Sequence, residues 1–146
     1  MALHMLKMCV GIDSVAQLRE RQGERLARLE AAGQPAQLAH WTRNFPRRAA
    51  KILDGGSLYW IIKGQIRARQ RIASLERLEA EGTGKRCAII LDADLVETVL
   101  QPRRPMQGWR YFEPDDAPAD LSPGAAAAAD AMPIEMADEL RELGLL

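Results

Sequence analysis

The chemistry most concentrated in this sequence is cationic and planar. Arg43, Arg47, Arg48 and Lys51, then Lys63, Arg67, Arg69 and Arg71, then Arg103, Arg104 and Arg110 are interleaved with Trp41, Phe45, Tyr59, Trp60, Trp109, Tyr111 and Phe112. Residues 40 to 112 hold 14 Lys plus Arg against seven acids, and before residue 113 arginine outnumbers lysine 15 to four. A guanidinium fork pairs bidentately with phosphate or carboxylate, where an ammonium acts as a point charge. Taken as strand, Lys63, Gln65, Arg67, Arg69 and Arg71 project to one face roughly 7 Å apart. With Tyr59 or Trp109 to stack a base, such a face suits single-stranded nucleic acid, phosphates neutralised and bases stacked. Two plainer readings stand beside this one: a solvated charged face, and the arginine bias of a GC-rich genome.

Other residue types offer other chemistries. Asp92 and Asp94, with Lys63 on a neighbouring strand, would suit an enzyme that acts on a small anionic substrate through a bound divalent cation. The simpler reading is that Asp at a strand end begins a turn or caps a helix such as 95–100. Cys9 and Cys87 lack C-x-x-C spacing and lie in apolar runs, where a free thiol behaves as a small hydrophobe. His4 and His40 are the only histidines. Neither has a second ligand at helical or finger spacing, so no metal site is expected. A Cys9 or Cys87 nucleophile served by His40 would need the fold to bring the pair together. No phosphate-binding loop or dinucleotide glycine pattern is present, so no cofactor is expected.

The elements that must position these residues are partly legible. Met5, Leu6, Met8, Cys9 and Val10 form a short apolar run that reads as a buried strand. Ser14 and Gln17 match a capping box, and Val15, Leu18, Leu26 and Leu29 form the apolar stripe of a helix over 14–32, closed by Gly33. The rest of that helix alternates Arg19, Glu20, Arg21, Glu24, Arg25 and Arg28, as a solvated face does. Pro46 to Leu53 suggests a shorter helix, stopped by Gly55-Gly56. From Leu58 onward the even positions are apolar to Ile72, interrupted by Gln70, which favours strand over helix for 65–80. Gly64 marks a bend in that arm, residues 81–84 a turn, Cys87 to Leu91 its return, and Trp109 to Phe112 a last strand. Pro102 and Pro105 keep 101–107 extended.

The 146 residues, 47% hydrophobic and 27% charged, suit one domain. No apolar run spans a bilayer and the N-terminus lacks signal-peptide order, so a cytoplasmic protein without membrane contact is expected. The formal charge is zero, yet residues 1–112 carry 19 basic groups against 11 acids and residues 113–146 carry one against nine. The halves stand at +8 and −8. An α+β core over 1–112 is therefore expected, with a small mixed or antiparallel sheet of about four strands and three helices. An acidic, Pro- and Ala-rich linker over 113–132 and a docking helix over 133–146 follow. The acids of this tail would neutralise the basic surface wherever they fold back on it.

The stretches Asp54 to Gly64, Ala68 to Ile72 and Arg103 to Tyr111 together resemble an uncharacterised alphaproteobacterial family, domain of unknown function fourteen eighty-nine. The resemblance runs from Leu3 to about Leu121 and returns over the final helix. Met106 stands where the family has Phe, and the Ala-rich insertion is peculiar to this chain. The family brings no activity to transfer. In architecture the chain is also similar to the PUA-like and ASCH-like superfamily, which implies a barrel and an RNA partner.

The function expected is non-catalytic binding of RNA or another phosphate-rich polyanion by Lys63, Arg67, Arg69, Arg71, Arg103, Arg104 and Arg110, with Tyr59 or Trp109 stacking. The alternatives are the Asp92/Asp94/Lys63 enzyme and a protein-interaction module whose basic face meets an acidic partner.

Overall fold

The computed structural model describes residues 2–80, 84–104 and 106–121. The elements are β1 (His4–Met8), α1 (Val15–Ala31), β2 (Leu38–Thr42), α2 (Ala49–Leu53), β3 (Ser57–Ile62), β4 (Gln65–Ala80), β5 (Gly84–Pro102) and β6 (Trp109–Phe112), with a 3-10 turn at Pro114–Asp116. The strands form one mixed six-stranded half-barrel in the order β2-β5-β4-β3-β1-β6. β1 runs parallel to β3, and every other neighbouring pair is antiparallel.

Local chemistry explains the surest elements. The Ser14 hydroxyl accepts from the Gln17 N–H at 3.1 Å, and the Gln17 side chain accepts from the Asp13 N–H at 2.7 Å. Together they satisfy two backbone donors at the start of α1. Gly56 joins α2 to β3 where no other residue fits, because a Cβ there would lie 2.2 Å from the Leu3 carbonyl oxygen and 2.4 Å from that of Ile52.

Each sheet face has its own core. Met5, Leu58, Trp60, Ala68, Ile72, Ile89 and Leu91 pack with Val15 and Leu18 of α1 on the inner face. Leu6, Tyr59, Ile61, Ile66 and Phe112 cluster on the outer face. The sheet curls far enough that His40 of β2 meets Trp60 of β3 edge-on, ring centroids 5.1 Å apart, although β4 and β5 lie between them in the sheet.

The expected four strands and three helices are corrected in three places. The apolar run from Leu58 to Ile72 is two strands, because Lys63 (φ 50°) and Gly64 (φ 75°) make a two-residue turn between the paired Ile62 and Gln65. Both central residues at positive φ match the right-handed strand twist. Residues 95–100 belong to β5 instead of a helix, since Leu95, Val96 and Glu97 pair with Gln70, Arg69 and Ala68 of β4. β2 carries no strand signal of its own and forms by pairing with the β5 edge. Two α-helices stand among the described residues. With β2 and β6 as edges that pair with no further strand among the described residues, the sheet is a half-barrel and not the closed PUA-like barrel that the architectural likeness implied. The expected helix over 133–146, the linker residues 122–132, the turn residues 81–83 and Pro105 lie outside the described residues. No helix among the described residues is long and apolar enough to cross a membrane.

Candidate anion-binding cleft

The basic residues singled out by sequence do not form one open surface. Arg69 and Arg71 pair with Tyr59 and Ser57, and Arg110 with Leu6, so all three point to the outer face. The alternation breaks at Arg67. Trp60 pairs with Ala68 and Ile61 with Ile66, leaving Arg67 as the extra residue of a β-bulge. Its guanidinium turns inward, 3% exposed, and donates to the Ile62 carbonyl at 2.7 Å. Gln65 falls on the inner face through its pairing with Ile62, and Lys63 sits exposed in the turn.

The outer face is also occupied. Arg69 donates to both carboxylate oxygens of Asp120 at 2.7 Å and to the Ser57 hydroxyl at 3.2 Å. The Arg69 guanidinium holds the Asp120 carboxyl below the usual range. Asp120 bridges to Thr98, and the Val99 N–H donates to Ala119, so residues 119–121 lie along β5. Tyr59 is 4% exposed, its ring edge-on to both Phe112 and His4, so it offers no stacking surface. Arg103 lies over Phe112 at 5.1 Å, while Arg71, Arg104 and Arg110 remain exposed. Trp109 points to the opposite face from Arg110, donates its indole N–H to the Asn44 carbonyl and packs edge-on to Tyr111.

The proposed carboxylate–lysine set is not assembled. Lys63 adjoins Gln65, which pairs with Pro102, whereas Asp92 adjoins Leu91, which pairs with Ile72. Seven residues of strand separate the two places, about 23 Å. Asp92 and Asp94 are exposed on an irregular stretch of β5. Among the described residues no group of three or more His, Cys, Asp or Glu side chains could hold a metal ion.

A different constellation lies on the inner face. Where the curled sheet leaves a gap beside α1, a cleft of about 240 Å³ is lined by Lys7, Arg21, Arg25, Gln22, His40 and Trp60, with Leu18, Leu38, Leu91 and Cys9 among its apolar walls. Its described lining holds three cations and no carboxylate. β1 directs Lys7 inward in register with Trp60, and one side of α1 carries Arg21 and Arg25 at i, i+4. Arg25 also donates to the Ala39 carbonyl at 3.1 Å. His40 is brought in by β2; its Nε2 is buried and has no hydrogen-bond partner among the described residues. Burial first, and then the charges of Lys7 and Arg25, push the His40 imidazole down to about 4, so it is neutral at pH 7. Burial holds the Cys9 thiol up at about 11 against the opposing pull of Lys7.

An amide network closes the inner end. Gln70, fully buried, exchanges two hydrogen bonds of 2.8 Å with Gln22, accepts from the Trp60 indole at 2.9 Å and donates to the Asp92 carbonyl at 3.1 Å. This fills every donor and acceptor of Gln70 and engages one N–H and one lone pair of the Gln22 amide.

Sequence reasoning took Arg21 and Arg25 for a solvated face and did not single out Lys7 or Gln22. The available signal was the interruption of the α1 apolar stripe at Gln22, with arginines beside it on 21 and 25. His40 and Cys9 do line one cleft, as a nucleophilic pair would require, but with the thiol protonated at neutral pH. A family model described as Protein of unknown function (DUF1489) matches residues 5–146. No curated protein and no solved structure matches the chain.

Proposed function

The chain belongs to the DUF1489 family, whose description carries no activity, and from the site we propose that it is a cytoplasmic, non-catalytic binding domain for RNA or another phosphate-rich ligand, held at the inner cleft. The observation that carries this reading is the concentration of Lys7, Arg21 and Arg25 around one cleft with no carboxylate in its described lining. Like charges gathered without counter-ions cost free energy, and a bound anion removes that cost. The outer face supports the reading less, because Asp120 already holds Arg69 there and Arg67 is turned inward onto the Ile62 carbonyl. A thiol held near 11 makes Cys9 a weak nucleophile, which favours binding over covalent chemistry.

The test is titration of a labelled single-stranded RNA at rising salt. Binding should weaken steeply as salt rises, and the Arg21→Glu/Arg25→Glu variant should lose affinity about tenfold or more at low salt and show a shallower salt slope. Arg71→Glu/Arg110→Glu, on the other face, should change affinity far less. Absence of binding at low salt, or binding insensitive to salt, overturns the proposal.

A further inference from the structure

Resting on the phosphate-binding reading of the inner cleft, we propose that the cleft is regulated from within the chain: the acidic segment 122–146 docks in it and competes with the anionic ligand. Charge complementarity is the first support. The described lining holds Lys7, Arg21 and Arg25 and no carboxylate, and gathered like charges favour a counter-charge that can reach them. Segment 122–146 carries Asp130, Glu135, Asp138, Glu139 and Glu142 against Arg141 alone. Its apolar residues suit the same place. Met136, Leu140 and Leu143 recur at helical spacing, and each is preceded by a glutamate, so a helix there would carry an acidic stripe beside an apolar one. The cleft offers the complement, with Leu18, Leu38 and Leu91 standing among its cations.

At Leu121 the described chain is anchored and aimed. Asp120 bridges antiparallel to Thr98 and the Leu121 N–H donates to the Glu97 carbonyl, so the chain runs along β5 toward its lower residue numbers. β4 holds the opposite edge of β5. On the edge that residues 119–121 follow, the next element is β2, whose Leu38 pairs with Leu91. Both of these residues line the cleft. The helix α1 borders the same route, because Arg19 donates to the Leu95 carbonyl at 3.3 Å. Six residues of strand from Glu97 to Leu91 cover at most about 20 Å. The eight residues between Leu121 and Asp130 reach up to about 30 Å, so the acids that follow have the length to arrive. Because Arg69 clasps Asp120 at the base of the segment, the contact is intramolecular, with an effective concentration on the order of mM that a free anion must overcome.

The experiment has two arms, both on the full chain. In the first, a water-soluble carbodiimide joins the Lys7 Nζ to any carboxylate in contact with it, as an amide with loss of water, and peptide mass spectrometry locates the bond. Lys7 should join at least one of the acids of 122–146 at low salt, and the yield should fall as sodium chloride is raised. In the second, the variant Glu135→Gln/Asp138→Asn/Glu139→Gln/Glu142→Gln should bind a labelled single-stranded RNA about tenfold tighter than the parent at low salt, the gap narrowing as salt rises. The first arm uses the unaltered chain, so it decides the contact even where the substitutions disturb folding. Absence of a Lys7 crosslink to the segment, or RNA bound equally tightly by parent and variant, overturns the proposal and leaves the phosphate-binding reading standing where RNA binds. Lys7 crosslinks with no RNA bound by either form overturn the phosphate-binding reading and leave the segment docked in the cleft.

Discussion

At the residue scale, two glutamines explain more of the interior than any charged group. Gln22 interrupts the apolar stripe of α1 and Gln70 interrupts the apolar positions of β4. Each looks like a defect in its own element, and each is the other's partner, 2.8 Å apart in both directions. Both interruptions are legible in the sequence. Their pairing is not, because it depends on how α1 crosses the sheet. Replacement by a shape-similar apolar residue therefore tests the network: Gln70→Leu should destabilise the fold by about 3 kcal/mol, since it leaves the Trp60 N–H and the Gln22 amide buried without their partner. Denaturant unfolding reads this directly, and a variant as stable as the parent would mean that the bonds contribute little. Arg67 carries the converse lesson. Its type predicts a surface group, yet one extra residue in β4 turns it inward onto the Ile62 carbonyl.

At the level of elements, patterning located β1, α1 and β6 but divided the centre of the chain wrongly. Period two continues across Lys63-Gly64 because both arms of a tight hairpin are buried, so hydrophobicity alone gives no sign of the reversal. β2 was missed for a different reason: an edge strand takes its conformation from its neighbour, and Ala39, His40 and Trp41 carry little strand signal. The segment after β6 is a further element that composition describes only as acidic and proline-rich. Residues 119–121 lie against β5 through backbone bonds at Val99 and Leu121, with Asp120 clasped by Arg69. Asp120→Ala should cost less than about 1 kcal/mol of global stability, because that ion pair is partly exposed. It should nevertheless speed hydrogen exchange at the Val99 and Leu121 amides, as local opening becomes easier. Unchanged exchange there would show that the backbone contacts hold the segment without the clasp.

At the scale of the whole molecule, the inner cleft makes stability depend on pH. His40 titrates near 4 in the fold against about 6.5 in the unfolded chain. Between those values the unfolded chain binds a proton that the folded protein does not, so stability is full above about pH 6.5 and falls as pH drops toward 4, by roughly 3 kcal/mol from this group. His4, lowered by burial and then by Arg69, acts in the same direction. Urea midpoints measured from pH 7.5 to 4.5 should decline, and His40→Phe should flatten the decline; equal slopes in both proteins would count against a buried neutral His40. The sequence by itself determined the family resemblance, the capped first helix, the strand character of residues 65–80 and the segregation of charge into a basic body and an acidic tail, because each is written in composition or in short-range spacing. Only the tertiary structure decided which cations matter. Curling a six-stranded sheet around one helix brings β1, β2, β3 and α1 to a common cleft, and a bulge and a docked segment withdraw Arg67 and Arg69 from the surface. Contacts of that kind arise between residues tens of positions apart, where strand register and sheet curvature set the distances and local periodicity carries no record of them.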